Sequence, residues 1–308
     1  MTFKLPGTPS PRSSAYELAD YAEWVCWRDV TSSMTQLLKD LGRLAENDYS
    51  EGVPEEEPID RVVEEAFAEI ERREAACRGG YPFVIGEKGY TLRTSDKPDT
   101  LKQVIYKYLL LATRLDMKDN RIHADIDGSL LFENLCADAT RSYFGARSES
   151  LVFGTSTKDS NFPARVDALC QQLKEGVRFE NRNQAPPREK DGKLDVVVWT
   201  PFPDDMPGKL IAFGQCKTGT DYRDKLTQLQ PDSFCRKWLY SSPVLTPLRM
   251  FFVAEALPQD HWYSIASDAG LLFDRCRIVD CSDDLSPDVL ARAVTWTEAA
   301  AATLRPDS

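Results

Sequence analysis

Between residues 193 and 219 the chain reads KLDVVVWTPFPDDMPGKLIAFGQCKTG. Two apolar runs flank a loop of prolines, aspartates and a glycine, which predicts two buried strands joined by a turn region. Polar side chains enter these runs at their ends, at Asp195 in the first and at Gln215 and Lys217 in the second. Side chains alternate faces along a strand. Ile211, Phe213, Gln215 and Lys217 therefore share one face, and Leu210, Ala212, Gly214 and Cys216 the other. Antiparallel pairing would set the start of one run beside the end of the other, so that Asp195, Gln215 and Lys217 converge at one edge of the sheet.

The rest of the chain supplies the layers such strands need. Helical spacing of apolar residues predicts helices over 14–30, 32–44, 59–77 and 100–115. The segment 81–95 reads as a short hairpin or an extended arm, with Gly89 near its turn. The polar stretch MKDNRIHADIDG makes a joint. Beyond it, a helix is expected over 129–145, a strand near SLVFGTS and a helix over 162–174. Helices are expected again over 222–229, 231–240, 262–273 and 287–303. LRMFFVAEAL and CRIVDCS read as strands. Helices interleaved with apolar strands predict a mixed α/β sandwich. We expect a mainly helical N-terminal domain over 1–128 and a mixed sheet flanked by helices over 129–308.

Charge divides the chain in the same way. The net charge is −11 over 308 residues. Residues 1–90 carry 10 basic and 18 acidic side chains, and the remaining 218 carry 28 and 31. The N-terminal part would repel phosphate, which suits regulation, partner contact or dimer formation. A local basic groove can form only in the remainder. Lys193, Arg223, Lys225, Arg236 and Lys237 are the candidate phosphate contacts, with Lys158, Arg182, Arg188 and Lys190 as further ones. No apolar run approaches the ~20 residues a membrane span requires, and the first twenty residues lack the apolar core of a secretory signal. A cytoplasmic location is expected. The eight cysteines include no C-x-x-C pair and His123 and His261 lie far apart, so zinc-site spacing is absent and reduced, buried thiols are expected. GTSTKD and GTDYRDK lack the phosphate-cradling loop pattern.

The converging edge suits a hard divalent cation, Mg²⁺ or Mn²⁺, which prefers oxygen ligands. Asp195 offers a charged oxygen, Gln215 an amide oxygen and Cys216 its carbonyl. Lys217 would orient or deprotonate an attacking water and offset charge in a phosphorane-like transition state. One carboxylate is a meagre set, and Glu133 in LLFENLCADA could complete it. Asp125, Asp127 and Asp138 are rivals for that role.

A helix with Glu133, a strand, a strand with Asp195, a strand with Gln215-x-Lys217 and a following helix resemble the PD-(D/E)xK nuclease superfamily. Gln215 at the Glu position resembles its Mrr-type restriction endonuclease branch. The resemblance covers about residues 129–256, with Leu194 where the motif carries proline. It implies a restriction-endonuclease-like fold, with Glu133, Asp195, Gln215 and Lys217 as catalytic residues. It also implies Mg²⁺-dependent cleavage of DNA in a bacterial defence setting. A helicase, an ATPase or a second copy of the chain would help choose the target. A non-catalytic nucleic-acid-binding subunit, or an RNA or single-strand nuclease, are the alternatives on the same fold.

Overall fold

The computed structural model describes residues 3–47, 59–153, 161–182 and 192–304. Lys158, Arg188 and Lys190, and the acidic linker from residue 48 to 58, lie outside them. The N-terminal half begins with α1 (Ala15–Asp29), closed at its start by a reciprocal capping box between Ser14 and Glu17. Strand β1 (Thr31–Ser33) and helices α2 (Met34–Asn47) and α3 (Ile59–Ala76) follow, then β2 (Phe83–Ile85), β3 (Thr91–Thr94) and α4 (Leu101–Arg114). The expected hairpin is there, and β1 joins it to make a three-stranded antiparallel sheet, β1-β3-β2. The helix expected from Ser32 thus starts two residues later. The polar joint folds as β4 (Ile122–His123) and β5 (Ile126–Asp127). They turn through Ala124 and Asp125, which both have positive φ, as a tight two-residue hairpin loop requires.

The second half holds α5 (Gly128–Phe144), β6 (Glu149–Val152), α6 (Phe162–Leu173), β7 (Val196–Thr200), β8 (Leu210–Lys217) and α7 (Pro231–Trp238). Then come β9 (Leu248–Val253), α8 (Trp262–Ala269), β10 (Leu271–Phe273), α9 (Arg275–Asp280) and α10 (Pro287–Leu304). Five strands form one mixed sheet in the order β10-β9-β8-β7-β6. β7 is antiparallel to both β6 and β8, whereas β8, β9 and β10 are mutually parallel. Val196, Val198, Ala212, Met250 and Phe252 pack on one face with α5. Val197, Trp199, Ile211 and Phe213 pack on the other with α6 and α7. The alternation expected from the sequence is therefore the one by which the sheet is buried on both sides.

Three expected elements differ. Residues 222–229 form only a 3-10 turn, Arg223–Lys225. Leu226 and Leu229 enter two separate apolar clusters, whereas a helix would aim residues three apart in one direction. The helix expected over 262–273 stops at Gly270, whose φ of +81° breaks it and which lies against the Arg249 carbonyl. The last three residues of that range become β10. CRIVDCS, expected as a strand, belongs to α9. Asp274 caps that helix by accepting the Arg277 N–H at 3.0 Å, and this local bond outweighs the strand preference of Ile278 and Val279.

The expected joint at 128/129 is not a gap in packing. One apolar cluster joins Leu18, Phe67 and Tyr106 of the first half to Val198, Phe252 and Trp296 of the second. Through the same interior runs a polar network centred on Asp20. Its Oδ1 accepts from Arg73 at 2.7 Å and Arg275 at 2.8 Å. Its Oδ2 accepts from Arg114 at 2.6 Å and Arg275 at 3.1 Å. Glu23 accepts from Arg73, Tyr81 and Tyr106 at 2.8–3.0 Å, and Glu69 binds Arg73 at 2.8 Å. Burial acts to raise the Asp20 carboxyl, but Arg275, Arg114 and Arg73 outweigh it and hold the group well below the usual range.

Removing the shared acceptor leaves three buried guanidinium groups under-paired. Asp20→Ala should cost about 3–5 kcal/mol. The loss should appear in urea unfolding as one transition that fluorescence and circular dichroism follow together. An intermediate that keeps half the signal would contradict the shared interior.

Candidate functional site

α5 places Glu133. Its N-cap is Asp127, which accepts from the Ser129 and Leu130 N–H groups at 2.9 and 3.3 Å. Its first residue is Gly128, where a Cβ would come within 2.7 Å of the Trp296 indole. The capping bonds and the α10 contact together fix where the helix begins. One turn beyond Glu133, the Cys136 thiol lies beside the Cys216 thiol in the same buried cluster. Residues three apart share a helix face, so this contact turns Glu133 toward the end of β8.

β7 and β8 place the other three. They pair antiparallel, Val196 opposite Gly214, and the ladder continues one step further, Asp195 N–H to the Gly214 carbonyl at 2.9 Å. Asp195 and Gln215 are therefore neighbours across the strands. Asp195 Oδ2 accepts the Cys216 N–H at 2.8 Å, and Oδ1 accepts no hydrogen bond among the described residues. Gln215 is 1% exposed. Its Nε2 donates to Gln228 Oε1 at 3.3 Å, whereas its own Oε1 is buried with no partner. Glu133 Oε2 is likewise buried and unpartnered. The Lys217 amine makes no hydrogen bond or ion pair among the described residues.

Electrostatics ties the set together. Burial, then the charge of Asp195, pushes the Glu133 carboxyl up to about 8, with Lys217 opposing. Burial also raises the Asp195 carboxyl, against the Cys216 N–H and the charges of Lys217 and Lys193. Glu133, Asp195, Gln215 and Lys217 thus meet at one end of the sheet. Among the described residues no group of three or more His, Cys, Asp and Glu is arranged to hold a metal. The oxygen set here is two carboxylates and an amide. Two of its oxygens are buried and unpaired, and that vacancy in hydrogen bonding fits a hard cation. The Cys216 N–H is used by Asp195, and the Cys216 carbonyl leaves the strand on that same edge.

The rival carboxylates have other employment. Asp127 caps α5 and pairs with Arg121 at 3.0 Å. Asp138 accepts the Ser286 N–H at 2.8 Å, and Asp125 is exposed in the hairpin turn. Of the candidate phosphate contacts, Lys193 is exposed and near enough to Asp195 to act on its charge. Lys225 is tied to Asp221, and Arg236 pairs with Asp232 at 2.7 Å. Arg236 and Lys237 lie on the last turn of α7, roughly 9 Å of helix beyond Gln230. The structure does not gather them with Asp195. Arg182 donates to the Tyr240 carbonyl beyond that same helix end.

Arg223 lines a cleft of about 1220 Å³ beyond the end of β8. One wall is the chain leaving Lys217, at Thr220, Tyr222 and Arg223, and the other belongs to α1 and α3. Glu17, Glu65 and Glu69 on that wall, with Glu255 and Asp260 from the segment after β9, outnumber Arg12, Arg72 and Arg223 around the cleft, so it disfavours a phosphate chain. Two contributors escaped the sequence reading. Gln228 sits in a polar turn with no spacing signal, and Cys136 reads as an ordinary core thiol.

No protein-family model matches the chain, and no curated protein or solved structure is significantly similar to it. No helix among the described residues is long and apolar enough to cross a membrane.

The raised Glu133 carboxyl has a measurable consequence. The folded chain keeps that proton up to about pH 8, whereas the unfolded chain loses it near the ordinary value of ~4.3. Its contribution to stability is complete at low pH and is lost as pH rises through this window, by up to about 1.4 kcal/mol per unit. Glu133→Gln should therefore stabilise the protein relative to wild type at pH 8 and not at pH 4. Urea titrations at both pH values measure the difference. An equal effect at both would place Glu133 in an ordinary solvated environment.

Proposed function

We propose that the protein is a divalent-metal-dependent nuclease of the PD-(D/E)xK kind, cutting DNA as an endonuclease. One observation carries the reading. Glu133 Oε2 and Gln215 Oε1 are buried oxygens without partners, at the strand edge where Asp195 and Lys217 stand. Unpaired buried acceptors are rare because each costs about 1–3 kcal/mol. A set of them beside a lysine whose amine has no hydrogen bond or ion pair among the described residues suits a cation and an anionic substrate. The sheet supports the same reading: its strand with Asp195 lies antiparallel to its strand with Gln215-x-Lys217, and a helix with Glu133 packs behind.

A divalent cation held there would neutralise phosphate oxygens and acidify a water. The chain's own groups do the rest. Glu133 and Asp195 supply the negative charge and Gln215 a neutral oxygen. Cys216 fixes Asp195 through its N–H, leaving Oδ1 for binding. Lys217 extends a cation from the same face as Gln215, where it would orient the attacking water and offset charge developing on the phosphoryl oxygens. Lys193, exposed beside Asp195, would hold a flanking phosphate. The carboxylate-rich cleft is in keeping with regulation or partner contact, rather than DNA contact, as the role of the helical N-terminal half.

Plasmid DNA incubated with Mg²⁺ or Mn²⁺ should be nicked or linearised. Asp195→Ala and Lys217→Ala should each lose about 10²–10³-fold in rate while melting as folded proteins. Variants that cut like wild type would remove the assignment. A wild type that binds DNA without cutting would make the chain a binding subunit. Cleavage of RNA or single strands alone would move the substrate class. Since Glu133 keeps its proton to about pH 8, a cation must displace it, and Mn²⁺ affinity measured by calorimetry should rise between about pH 6 and 8. A flat profile would take Glu133 out of the ligand set.

A further inference from the structure

A glutamine used as a cation ligand faces a difficulty that glutamate does not. The two ends of its amide are nearly the same size but opposite in polarity, one an acceptor and the other a double donor. A carboxylate presents oxygen whichever way it turns. An amide rotated by half a turn presents N–H groups to the cation and repels it. Something outside the residue must choose the orientation.

Gln228 is placed to choose it. Its Oε1 accepts the Gln215 Nε2 hydrogen at 3.3 Å, and the opposite end of that amide, Oε1, is left buried and unpaired. The turn carrying Gln228 is anchored on both sides. Leu226 is 6% exposed in the cluster under β9, and Leu229 is 1% exposed in the cluster under β7 and β8. The Gln228 N–H donates to the Lys225 carbonyl at 3.1 Å, and Gln230 Nε2 binds the Thr227 carbonyl at 2.8 Å. These bonds also account for the absence of a regular helix over this stretch. The backbone that carries Gln228 is held in place, and its side chain, in an exposed residue, reaches Gln215 from there.

We propose that Gln228 is a positioning residue that sets the polarity of the Gln215 amide, so that its oxygen rather than its nitrogen is offered to a divalent cation. The proposal rests on the metal-dependent reading of the site. It makes Gln215 and Gln228 a functional pair, in which the second is needed because the first is not glutamate.

A double-mutant cycle on the full-length chain tests it, with Mn²⁺ alone as the probe and affinity read by calorimetry or electron paramagnetic resonance. Gln228→Met removes the acceptor at nearly constant size, and should weaken Mn²⁺ binding about fivefold, the worth of one hydrogen bond. In the Gln215→Glu background the ligand has no polarity to set, and the same Gln228→Met change should alter affinity by less than about twofold. Gln228→Glu, which keeps an acceptor, should bind at least as tightly as wild type. Gln228→Ala repeats the first arm should the methionine disturb folding, which melting curves report. Equal loss in both backgrounds, or no loss in either, overturns the pairing while leaving the metal site standing. A wild-type chain that binds no Mn²⁺ removes the metal site, and the pairing with it.

Discussion

Asp20 is the point on which the interior turns. A carboxylate with no exposure accepts hydrogen bonds from three buried arginines, and those arginines come from α3, the end of α4 and α9. Charges in such surroundings are tolerated only when fully paired. Their geometry therefore constrains the helices far more tightly than apolar packing, which accepts many rotamers and small shifts. The consequence reaches the strand edge. Arg275 Nε holds the Ala254 carbonyl at 3.0 Å, and the Ala254 N–H holds the Lys217 carbonyl at 3.2 Å. The backbone of Lys217 is thus two hydrogen bonds removed from the charged centre of the protein.

The strand edge itself is built against stability. Two carboxyl groups are pushed toward neutrality, two buried oxygens lack partners, and the Lys217 amine makes no ion pair among the described residues. None of these features helps the fold, and together they cost several kcal/mol. Buried polar atoms without hydrogen bonds also occur in the Asp20 network, at Glu23 Oε2 and both Arg114 Nη atoms, but each of those has an opposite charge at 3.5–3.7 Å. Glu133 Oε2 and Gln215 Oε1 have no such ion pair among the described residues, which is a physical mark of a functional site. The contrast with the Asp20 network is instructive. There every carboxylate has a cation, and the result is rigidity. Here the carboxylates have each other and one uncommitted amine, and the result is an affinity for positive charge.

Much of this was legible in the residues. Period-two alternation placed Gln215 and Lys217 on one face, and antiparallel pairing brought Asp195 beside them, because both rules act between near neighbours in sequence. Glu133 was legible as a polar residue in an apolar helix, although the Cys136–Cys216 contact that turns it inward was not. Gln228 was illegible, since its place depends on two leucines entering different clusters. α9 was misread because Ile278 and Val279 favour strands, and the deciding residue, Asp274, stands just outside the apolar run. The Asp20–Arg275 bond joins residues 255 positions apart, and no local pattern could announce it.

That separation also bears on how the chain is made. As residues emerge in order from the ribosome, α1, α3 and α4 carry Asp20, Glu23, Arg73 and Arg114 into existence long before Arg275 follows. The early helices hold an incomplete set of charges that water still serves better than burial does. Their interior lacks one of the three guanidinium groups that meet Asp20 until residue 275 has been synthesised. By the time Arg275 arrives, Glu133, Asp195, Gln215 and Lys217 have all been made. The charged centre is thus completed only after every residue of the strand edge has been made, and the Ala254 bridge joins the two.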